Sequence, residues 1–291
     1  MFSRSIPALV TPFRGGSFDE SAYRSLIDWQ IESGSAALVA CGTTGEVSTL
    51  THDEQYHIIR VCIEHIAGRV PVIAGCGSND TRTSLAHMAF AESAGADAAL
   101  VVAPYYNRPS QAGIVAHFEA LTEASDLPII VYNVPSRTVT DIIAETMAKL
   151  SAMPSVIGVK DASGQIERVT DHRLGCGRDF IQLAGNDGQA LAFNAAGGVG
   201  CISVTANVAP RLCAEFQSAC ADEDFERARL LNDRLFPLHC ALFADASPGP
   251  TKYALNRLRP DMPHELRLPI MPCSADARAL VDAALEKAGL T

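Results

Sequence analysis

The chain has 291 residues, 48% of them hydrophobic, and a formal net charge of -10. This length allows a large core in one big domain or two ordinary ones. The acidic balance argues against a nucleic-acid partner, and the lack of an apolar run of about 18 residues argues against a membrane span.

The N-terminus and the cysteines indicate the cellular compartment. The first residues, MFSRSIPALVTPF, enter a strand-like run almost at once, so we expect no signal peptide. The nine cysteines lie mostly inside apolar segments and lack the paired spacing of metal sites. They are typical of small core residues in a reducing compartment rather than of a disulfide framework, and we therefore expect a cytoplasmic protein.

Short apolar runs recur along the chain, each followed by a segment with helical spacing of apolar residues. The predicted strands are IPALVTPF (6–13), AALVAC (36–41), PVIAGC (71–76), AALVVAP (98–104), PIIVYNV (128–134), VIGVKD (156–161), FIQLAGN (180–186) and GVGCISV (198–204). Their starts lie about 18–35 residues apart, which is too long for hairpins and is typical of βα units.

The segments between these strands have the features of helices. DESAYRSLIDWQIESG and THDEQYHIIRVCIEHIAG each begin with a capping residue and end in glycine. Strands that are apolar on both faces and alternate with helices indicate a parallel sheet covered on both sides. An open Rossmann sheet is the alternative, but no GxGxxG follows the first strand. Eight units in about 220 residues predict a closed (β/α)8 barrel of the TIM type.

After about residue 222 the pattern changes to helices only, as in EDFERARLLNDRLFPLHCALF and SADARALVDAALEKAG. We therefore predict a catalytic barrel over 1–222 and a C-terminal helical region over 223–291 that packs on it. In such barrels the reactive groups lie at the C-terminal ends of the strands, where the βα loops converge.

The chain contains only four lysines, against nineteen arginines. Lys149 and Lys287 lie in amphipathic helices and are predicted to be solvated, and Lys252, which opens KYALNRL, is predicted to be a helix-surface or interface group. Lys160 alone stands at the C-terminal end of a predicted strand, in SVIGVKDASG. Its position makes it the candidate for a reactive group.

Two interpretations of Lys160 remain open from its position. Alternation places Val156, Gly158 and Lys160 on one face, and Gly158 would leave space beneath the lysine stem. A buried lysine can be neutralised by a carboxylate, but the adjacent Asp161 points to the opposite face, which weakens this interpretation. The alternative is a Schiff-base nucleophile, because burial disfavours the charged form and makes the free amine available near neutrality.

The preceding strand and its loop, PIIVYNVPSRT, supply two further candidates. Tyr132 shares a face with Ile130 and Val134, and it projects where Lys160 does if both point inward. Its phenol could move protons to and from a carbinolamine oxygen, although a core tyrosine more commonly bonds a backbone carbonyl. Arg137 in the loop could bind a substrate carboxylate, or it could be a surface residue.

Two other strand ends carry turns of interest. CGTTGE (41–46) places paired hydroxyls between glycines, in a tight turn whose N–H groups can hold a carboxylate and where Thr43 can pass a proton. APYYNRPS carries adjacent tyrosines that suit interface packing as easily as catalysis. No helical metal-binding His pair and no GxSxG elbow occur, and GGVGCISV (197–204) favours tight packing over phosphate binding.

The motifs GTTGE, PYYNRPSQ, YNVPSRT, the Lys160 strand and GCISVTANV, in this order, closely resemble the dihydrodipicolinate synthase (4-hydroxy-tetrahydrodipicolinate synthase) family. The resemblance covers essentially the whole chain, including ADASPGPTKYAL and LRLPIMP. Other pyruvate-dependent lyases, such as N-acetylneuraminate lyase, share the barrel and the lysine. They typically lack the arginine after YNVPS and differ at the paired threonines, so YNVPSR with GTTGE is the specific part of the match.

The resemblance implies condensation of pyruvate with L-aspartate 4-semialdehyde through a lysine Schiff base, on the pathway to lysine and diaminopimelate. It implies no metal and no organic cofactor. The alternative is a related pyruvate-dependent aldolase or hydratase acting on a 2-keto-3-deoxy acid. Arg137 argues against that alternative, because a polyol needs hydroxyl partners more than a guanidinium. A third hypothesis is a catalytically silent barrel that only binds a keto acid or a partner protein.

The resemblance also implies a proton relay. Lys160 would form the Schiff base, and Tyr132, Thr43 and Tyr106 would carry protons, with Tyr106 reaching in from a neighbouring subunit. A relay that crosses a subunit boundary requires at least a dimer. The family is usually a dimer of dimers, so we expect a homotetramer.

Substrate-binding residues follow from the same resemblance. Thr43 and Thr44 would bind the carboxylate of pyruvate, and Arg137 would bind the carboxylate of the semialdehyde. Gly185 and Ile202 would line the pocket. These roles are carried over from the matching motifs and depend on the resemblance.

An allosteric lysine site is a further expectation. Lysine-sensitive family members bind lysine at the dimer interface, and His52, Asn79 and Tyr105 match that site. Gln55 stands where such members often carry histidine, and Thr83 where they often carry an acid. Because an acid pairs with the ammonium group of the inhibitor, we predict weak or absent inhibition by lysine.

Overall fold

Parallel strands form the centre of the fold. The structure is a computed structural model that describes residues 2–291. Within this range the barrel strands are β1 Arg4–Pro7, β2 Leu38–Ala40, β3 Val72–Gly75, β4 Ala98–Val102, β5 Ile129–Asn133, β6 Val156–Asp161, β7 Ile181–Ala184 and β8 Gly200–Ser203. They pair in the order β1–β8–β7–β6–β5–β4–β3–β2, and a parallel bridge between Ala8 and Val39 joins β1 to β2. The sheet is therefore closed, and the predicted (β/α)8 barrel is confirmed.

The first strand is shorter than the sequence predicted. Instead of continuing to residue 13, the chain forms a small antiparallel hairpin in which Phe13–Arg14 pairs with Ser17–Phe18. Pro12 has no N–H to donate, so a continuous ladder through residue 13 cannot form. Gly15 and Gly16 make the hairpin turn with φ of 60° and 79°, a conformation that side chains disfavour.

Helices alternate with the barrel strands and continue to the C-terminus. In the described residues they are α1 Glu20–Glu32, α2 His52–Ile66, α3 Thr81–Ala94, α4 Gln111–Ala124, α5 Pro135–Thr138, α6 Ala144–Ser151, α7 Arg168–Gly175, α8 Ala190–Ala195, α9 Pro210–Ala221, α10 Phe225–Ala241, α11 Gly249–Leu258 and α12 Ala275–Lys287. The side chains of Asp19, Thr51, Asp80 and Ser110 cap the N-termini of α1 to α4. Capping residues therefore start these helices, as the sequence predicts.

Apolar side chains fill both sides of the sheet. Ile73, Leu100 and Ile130 belong to a buried cluster inside the barrel. Val101 and Val131, which alternate with these residues, belong to the cluster between the strands and the surrounding helices. The predicted coverage of the sheet on both faces is therefore confirmed.

The strand that carries Lys160 is irregular near its start. The pairing of β5 with β6 shifts register there, so Val156 packs in the outer apolar cluster. The prediction that Val156 shares a face with Lys160 is therefore wrong. Gly158 also has a different role from the predicted one, because a Cβ there would lie only 2.5 Å from the Ile181 carbonyl oxygen. It allows β7 to approach β6 closely rather than leaving space beneath the lysine.

The glycines around β8 are tightly packed. A Cβ at Gly198 would overlap the Phe193 ring, and one at Gly200 would overlap the backbone of Arg4 on β1. This arrangement agrees with the interpretation of GGVGCISV as a packing element rather than a phosphate-binding loop.

The chain beyond residue 222 is helical, as predicted. Helix α10 packs on α9 and α12, and Phe216, Leu235 and Leu285 share one buried cluster. The predicted boundary at 222 falls between α9 and α10, and the division into 1–222 and 223–291 stays a prediction. None of the helices within residues 2–291 combines the length and hydrophobicity that crossing a bilayer requires.

Candidate active site

Lys160 lies inside the barrel near the C-terminal end of β6. Only 5% of its surface is exposed, and it pairs in register with Tyr132 of β5 and Leu183 of β7. Its Nζ lies 4.1 Å from the centroid of the Tyr132 ring. Asp161 points the other way and accepts a hydrogen bond from the Ser163 amide at 2.7 Å. Lys160 and Tyr132, which the sequence placed on one face, are therefore in contact. Asp161 does not neutralise Lys160.

A cavity of about 640 Å³ opens above Lys160 at this end of the barrel. It brings together six residues predicted from the sequence, which are Thr43, Thr44, Tyr132, Arg137, Lys160 and Gly185. They come from four different strands or the loops that follow them. This convergence is the arrangement that barrel enzymes use to assemble reactive groups.

The turn that carries Thr43 and Thr44 is tightly held. A 3-10 turn over Thr43–Gly45 is closed by hydrogen bonds at both ends, and Thr11 Oγ1 donates to the Gly45 carbonyl at 2.7 Å. Thr44 is buried, whereas Thr43 is exposed to the cavity. The turn can therefore present a hydroxyl and backbone N–H groups to a bound carboxylate.

Arg137 lies at the rim of the cavity, in the short helix α5 after β5. The loop is braced from behind, since Asn133 Nδ2 donates to Asp141 Oδ1 at 2.9 Å and Arg168 donates to both Asp141 oxygens at 2.7 and 2.5 Å. The hydrogen bonds from Arg168 hold the pKa of Asp141 below its usual value. This network fixes the loop and leaves the exposed guanidinium of Arg137 at the mouth of the cavity.

Two predicted site residues do not line this cavity. Ile202 is fully buried in the interior cluster that also contains Tyr132 and Leu183. Tyr106 is 89% exposed, with φ of 70°, on the loop after β4. A role for Tyr106 in catalysis therefore requires a second subunit, and the roles of both residues stay predictions.

The C-terminal region forms a wall of the cavity that the sequence did not predict. Phe236, His239 and Phe243 line it from α10 and the turn that follows. His239 is buried, and its Nδ1 lies 2.8 Å from Thr205 Oγ1. Burial lowers the pKa of His239, so its imidazole is neutral near pH 7. These residues belong to an ordinary amphipathic helix pattern, which carries no local signal of a binding site.

Asp187 is a second residue that sequence reasoning missed. Its carboxylate accepts hydrogen bonds from the Ser203 hydroxyl and, at 2.9 Å, from the Val204 amide. It thereby shapes the turn after β8, where Val204 borders the cavity. Because Asp187 lies in the loop three residues after the end of β7, the expectation that barrel strand ends carry function could have found it.

Lys252 is not the surface or interface group that the sequence predicted. It is 1% exposed, and its Nζ lies 2.5 Å from Glu46 Oε1 and donates to the Glu265 carbonyl at 2.8 Å. Burial lowers its pKa to about 8, although the Glu46 carboxylate favours the charged form. The prediction is wrong because helical spacing cannot reveal a buried partner that lies far away in the sequence.

The candidate allosteric residues lie outside the cavity, in neighbouring parts of the chain. His52 is the first residue of α2, and its ring centroid lies 4.8 Å from that of His87. The Asn79 carbonyl accepts a hydrogen bond from Asn107 Nδ2 at 2.8 Å, which ties it to the loop of Tyr105. Gln55 is buried and donates to the Gly75 carbonyl at 2.9 Å. A lysine site built from these residues stays a prediction.

Comparisons with known proteins agree with this geometry. The family model of the Dihydrodipicolinate synthetase family matches residues 1–288. The 4-hydroxy-tetrahydrodipicolinate synthase of Novosphingobium aromaticivorans is 65% identical over 292 residues, covering 100% of this chain and 99% of the relative. The crystal structure of dihydrodipicolinate synthase from Aquifex aeolicus matches with a TM-score of 0.97 at 38% identity over 99% of both chains. The chloride-inhibited dihydrodipicolinate synthase from Acinetobacter baumannii, complexed with pyruvate, has a TM-score of 0.97 at 37% identity and 100% coverage of both chains. The chain belongs to the dihydrodipicolinate synthetase family.

Proposed function

We propose that the chain condenses pyruvate with L-aspartate 4-semialdehyde to give 4-hydroxy-tetrahydrodipicolinate, through a Schiff base on Lys160. The observation that carries this proposal is the buried amine of Lys160 at the floor of an open cavity, packed against Tyr132. An amine in such a place is held ready to attack a carbonyl carbon. The full-length relatives with this activity support the assignment.

The covalent steps balance without an external oxidant or reductant. Lys160 Nζ adds to the ketone carbon of pyruvate, and loss of water from the carbinolamine gives an iminium. Loss of a methyl proton gives an enamine, whose carbon adds to the aldehyde and forms the new C–C bond. The amine of the semialdehyde then adds to the iminium carbon, releases Lys160 and closes the ring.

The side chains around Lys160 suit the charges and protons of these steps. Tyr132 and Thr43 both border the cavity and can pass protons to and from the carbinolamine oxygen, with Tyr106 of a second subunit completing the relay. The Thr43 and Thr44 turn would hold the carboxylate of pyruvate. Arg137 would bind the carboxylate of the semialdehyde with its guanidinium, which a polyol substrate does not need.

We also propose an oligomeric state and a cellular compartment for the chain. The exposure of Tyr106 at 89%, outside the cavity of its own chain, supports a dimer as the smallest active unit. The homotetramer is proposed from the family resemblance alone. The cysteines are free thiols and most of them are buried, which supports a reducing compartment, the cytoplasm.

Borohydride trapping tests the Schiff base directly. With pyruvate, the wild-type chain should gain one reduced pyruvyl group, measured by intact mass, and Lys160→Ala should gain none. Lys149→Ala, which removes an exposed lysine, is the matched control and should behave as wild type. A wild-type chain that gains no pyruvyl group would favour the silent barrel. A coupled assay that offers the semialdehyde against sugar aldehydes separates the synthase from the related aldolases.

A further inference from the structure

The ion pair between Lys252 and Glu46 connects the C-terminal region to the barrel. Lys252 lies in α11, and Glu46 follows the Thr43–Gly45 turn. The side chains are 0% and 1% exposed, so both charges are removed from water. Desolvation offsets much of the attraction in such a pair, and apolar residues would bind the two regions together as well. The location of the pair beside the Thr43–Gly45 turn is therefore more informative about its role than its contribution to stability.

Glu46 directly follows the turn that carries the two threonines. Its backbone N–H donates to the Thr43 carbonyl at 3.1 Å, and its backbone has a left-handed conformation with φ of 57°. Its carboxylate meets Lys252 through Oε1 and accepts from the Arg267 amide at 3.2 Å through Oε2. A movement of this carboxylate would therefore move the backbone that positions Thr43 and Thr44.

Lys252 is itself fixed from several sides. Its Nζ donates to the Glu265 carbonyl at 2.8 Å and lies 4.3 Å from the centroid of the Phe13 ring. The Glu265 carboxylate in turn accepts from the amides of Gly15 and Gly16, at 2.8 and 2.5 Å. The ammonium is thus a rigid anchor for the Glu46 carboxylate rather than a mobile surface charge.

We infer that Lys252 is a positioning residue for the condensation: by holding Glu46, it keeps the Thr43–Thr44 turn in the shape that binds the carboxylate of pyruvate. The inference rests on the proposed function, because it assumes that this turn receives that carboxylate. With this role for Lys252, the C-terminal helical region contributes to the active site in two ways: α10 forms a wall of the cavity, and α11 carries the lysine that holds Glu46.

The test compares a ketone that carries the carboxylate with one in which the carboxylate is replaced. Pyruvate carries a carboxylate, whereas methyl pyruvate carries a neutral ester in its place, and both can form an iminium with Lys160. The concentration of each that gives half-maximal borohydride trapping is measured for the wild type, Lys252→Met, the double variant Glu46→Gln/Lys252→Met, and Lys287→Met. The double variant buries no unpaired carboxylate, so it tests the inference even where Lys252→Met does not fold. Lys287 is an exposed helical lysine and serves as the matched control.

We expect the half-maximal concentration of pyruvate to rise about tenfold in the Lys252 variants, as for the loss of one well-placed hydrogen bond to a charged group. That of methyl pyruvate should change little, and Lys287→Met should match the wild type. Equal shifts for both ketones, or no shift for either, would overturn the inference while the proposed function stands. A wild type that traps no pyruvate would overturn the proposed function itself, and the inference with it.

Discussion

Lys160 and Tyr132 are register partners on neighbouring strands, and the lysine Nζ lies 4.1 Å from the centre of the tyrosine ring. The ring therefore packs against the amine with its face, while the tyrosine also borders the cavity. Packing by the ring and proton transfer by the hydroxyl are separable contributions, because phenylalanine keeps the first and removes the second.

Tyr132→Phe should lower kcat by about 10²–10⁴-fold, the usual contribution of a general acid–base group. The KM for pyruvate should change little, since the phenol acts on the reacting oxygen rather than on the carboxylate. Steady-state kinetics with both substrates measures the two parameters.

Tyr253→Phe is the control for this change. The Tyr253 hydroxyl bonds Asp282 Oδ2 at 3.0 Å, away from the cavity lining, so its removal should leave kcat unchanged. If Tyr132→Phe keeps the wild-type kcat, the phenol takes no part in the proton relay.

Arg137→Ala should raise the KM for L-aspartate 4-semialdehyde by about 10- to 100-fold, as expected for loss of a hydrogen-bonded charged partner worth about 1.5–3 kcal/mol. The KM for pyruvate should stay close to that of the wild type, because the Thr43–Thr44 turn is intact. The control is Arg82→Ala, whose side chain is 90% exposed. Equal increases in both KM values would show that Arg137 does not distinguish the two substrates.

The barrel and most of the site could be predicted from the sequence because their signals are local. Lys160 ends an apolar strand, and Tyr132 and the paired threonines end two others, so the barrel geometry alone brings them together. The wall from α10 gives no such signal, since Phe236 and His239 look like ordinary residues of an amphipathic helix.

The errors concern features that depend on distant partners. Lys252 has helical spacing and is predicted to be exposed, but in the structure it is buried together with Glu46, a residue about 200 positions away in the sequence. The orientation of Val156 depends on a register shift against β5, which alternation within one strand cannot reveal. Assigning side chains to alternate faces of a strand assumes regular pairing with its neighbour. A single irregularity in the pairing moves the residues before it to the opposite face from the one predicted.

The stability of the chain should depend on pH through Glu54. Arg267 donates to both carboxylate oxygens of Glu54, at 2.9 and 2.6 Å, and these hydrogen bonds lower the pKa of Glu54 from 4.5 to about 2. A carboxylate with a depressed pKa stabilises the fold fully above its unfolded pKa, and the effect is lost as the pH falls through the folded pKa. The contribution should therefore decline below about pH 4.5 and vanish near pH 2.

Glu54→Gln should lower the free energy of unfolding at pH 7 by about 1–2 kcal/mol, after allowing for solvent screening of a side chain that is 32% exposed. The difference from the wild type should shrink as the pH falls from 4.5, measured by urea unfolding at several pH values. Glu286→Gln, at an exposed site in α12, should show no such dependence. A difference that stays constant down to pH 3 would contradict the prediction.

Lysine should inhibit the wild-type chain weakly or not at all. Thr83 stands where lysine-sensitive family members often carry an acid, and its hydroxyl instead donates to Asp80 Oδ2 at 3.3 Å. Thr83→Glu should therefore lower the inhibition constant about tenfold by pairing with the inhibitor's ammonium, while Ala89→Glu, further along α3, should not. A low-micromolar inhibition constant for the wild type, measured by initial rates, would refute the prediction.

Tyr106 should act in the active site of a partner subunit rather than in its own. Its side chain is 89% exposed and does not line the cavity that contains Lys160. Lys160→Ala and Tyr106→Phe should each be nearly inactive alone, but in a mixed dimer one site receives an intact Lys160 and an intact Tyr106.

Equal mixing, with subunit exchange, should therefore restore about a quarter of the wild-type activity, because half of the dimers are mixed and each holds one complete site. Mixing Lys160→Ala with Tyr132→Phe is the control, since both of those residues lie in one chain's cavity and no complete site can form. Recovery in neither mixture would show that Tyr106 does not cross the subunit boundary.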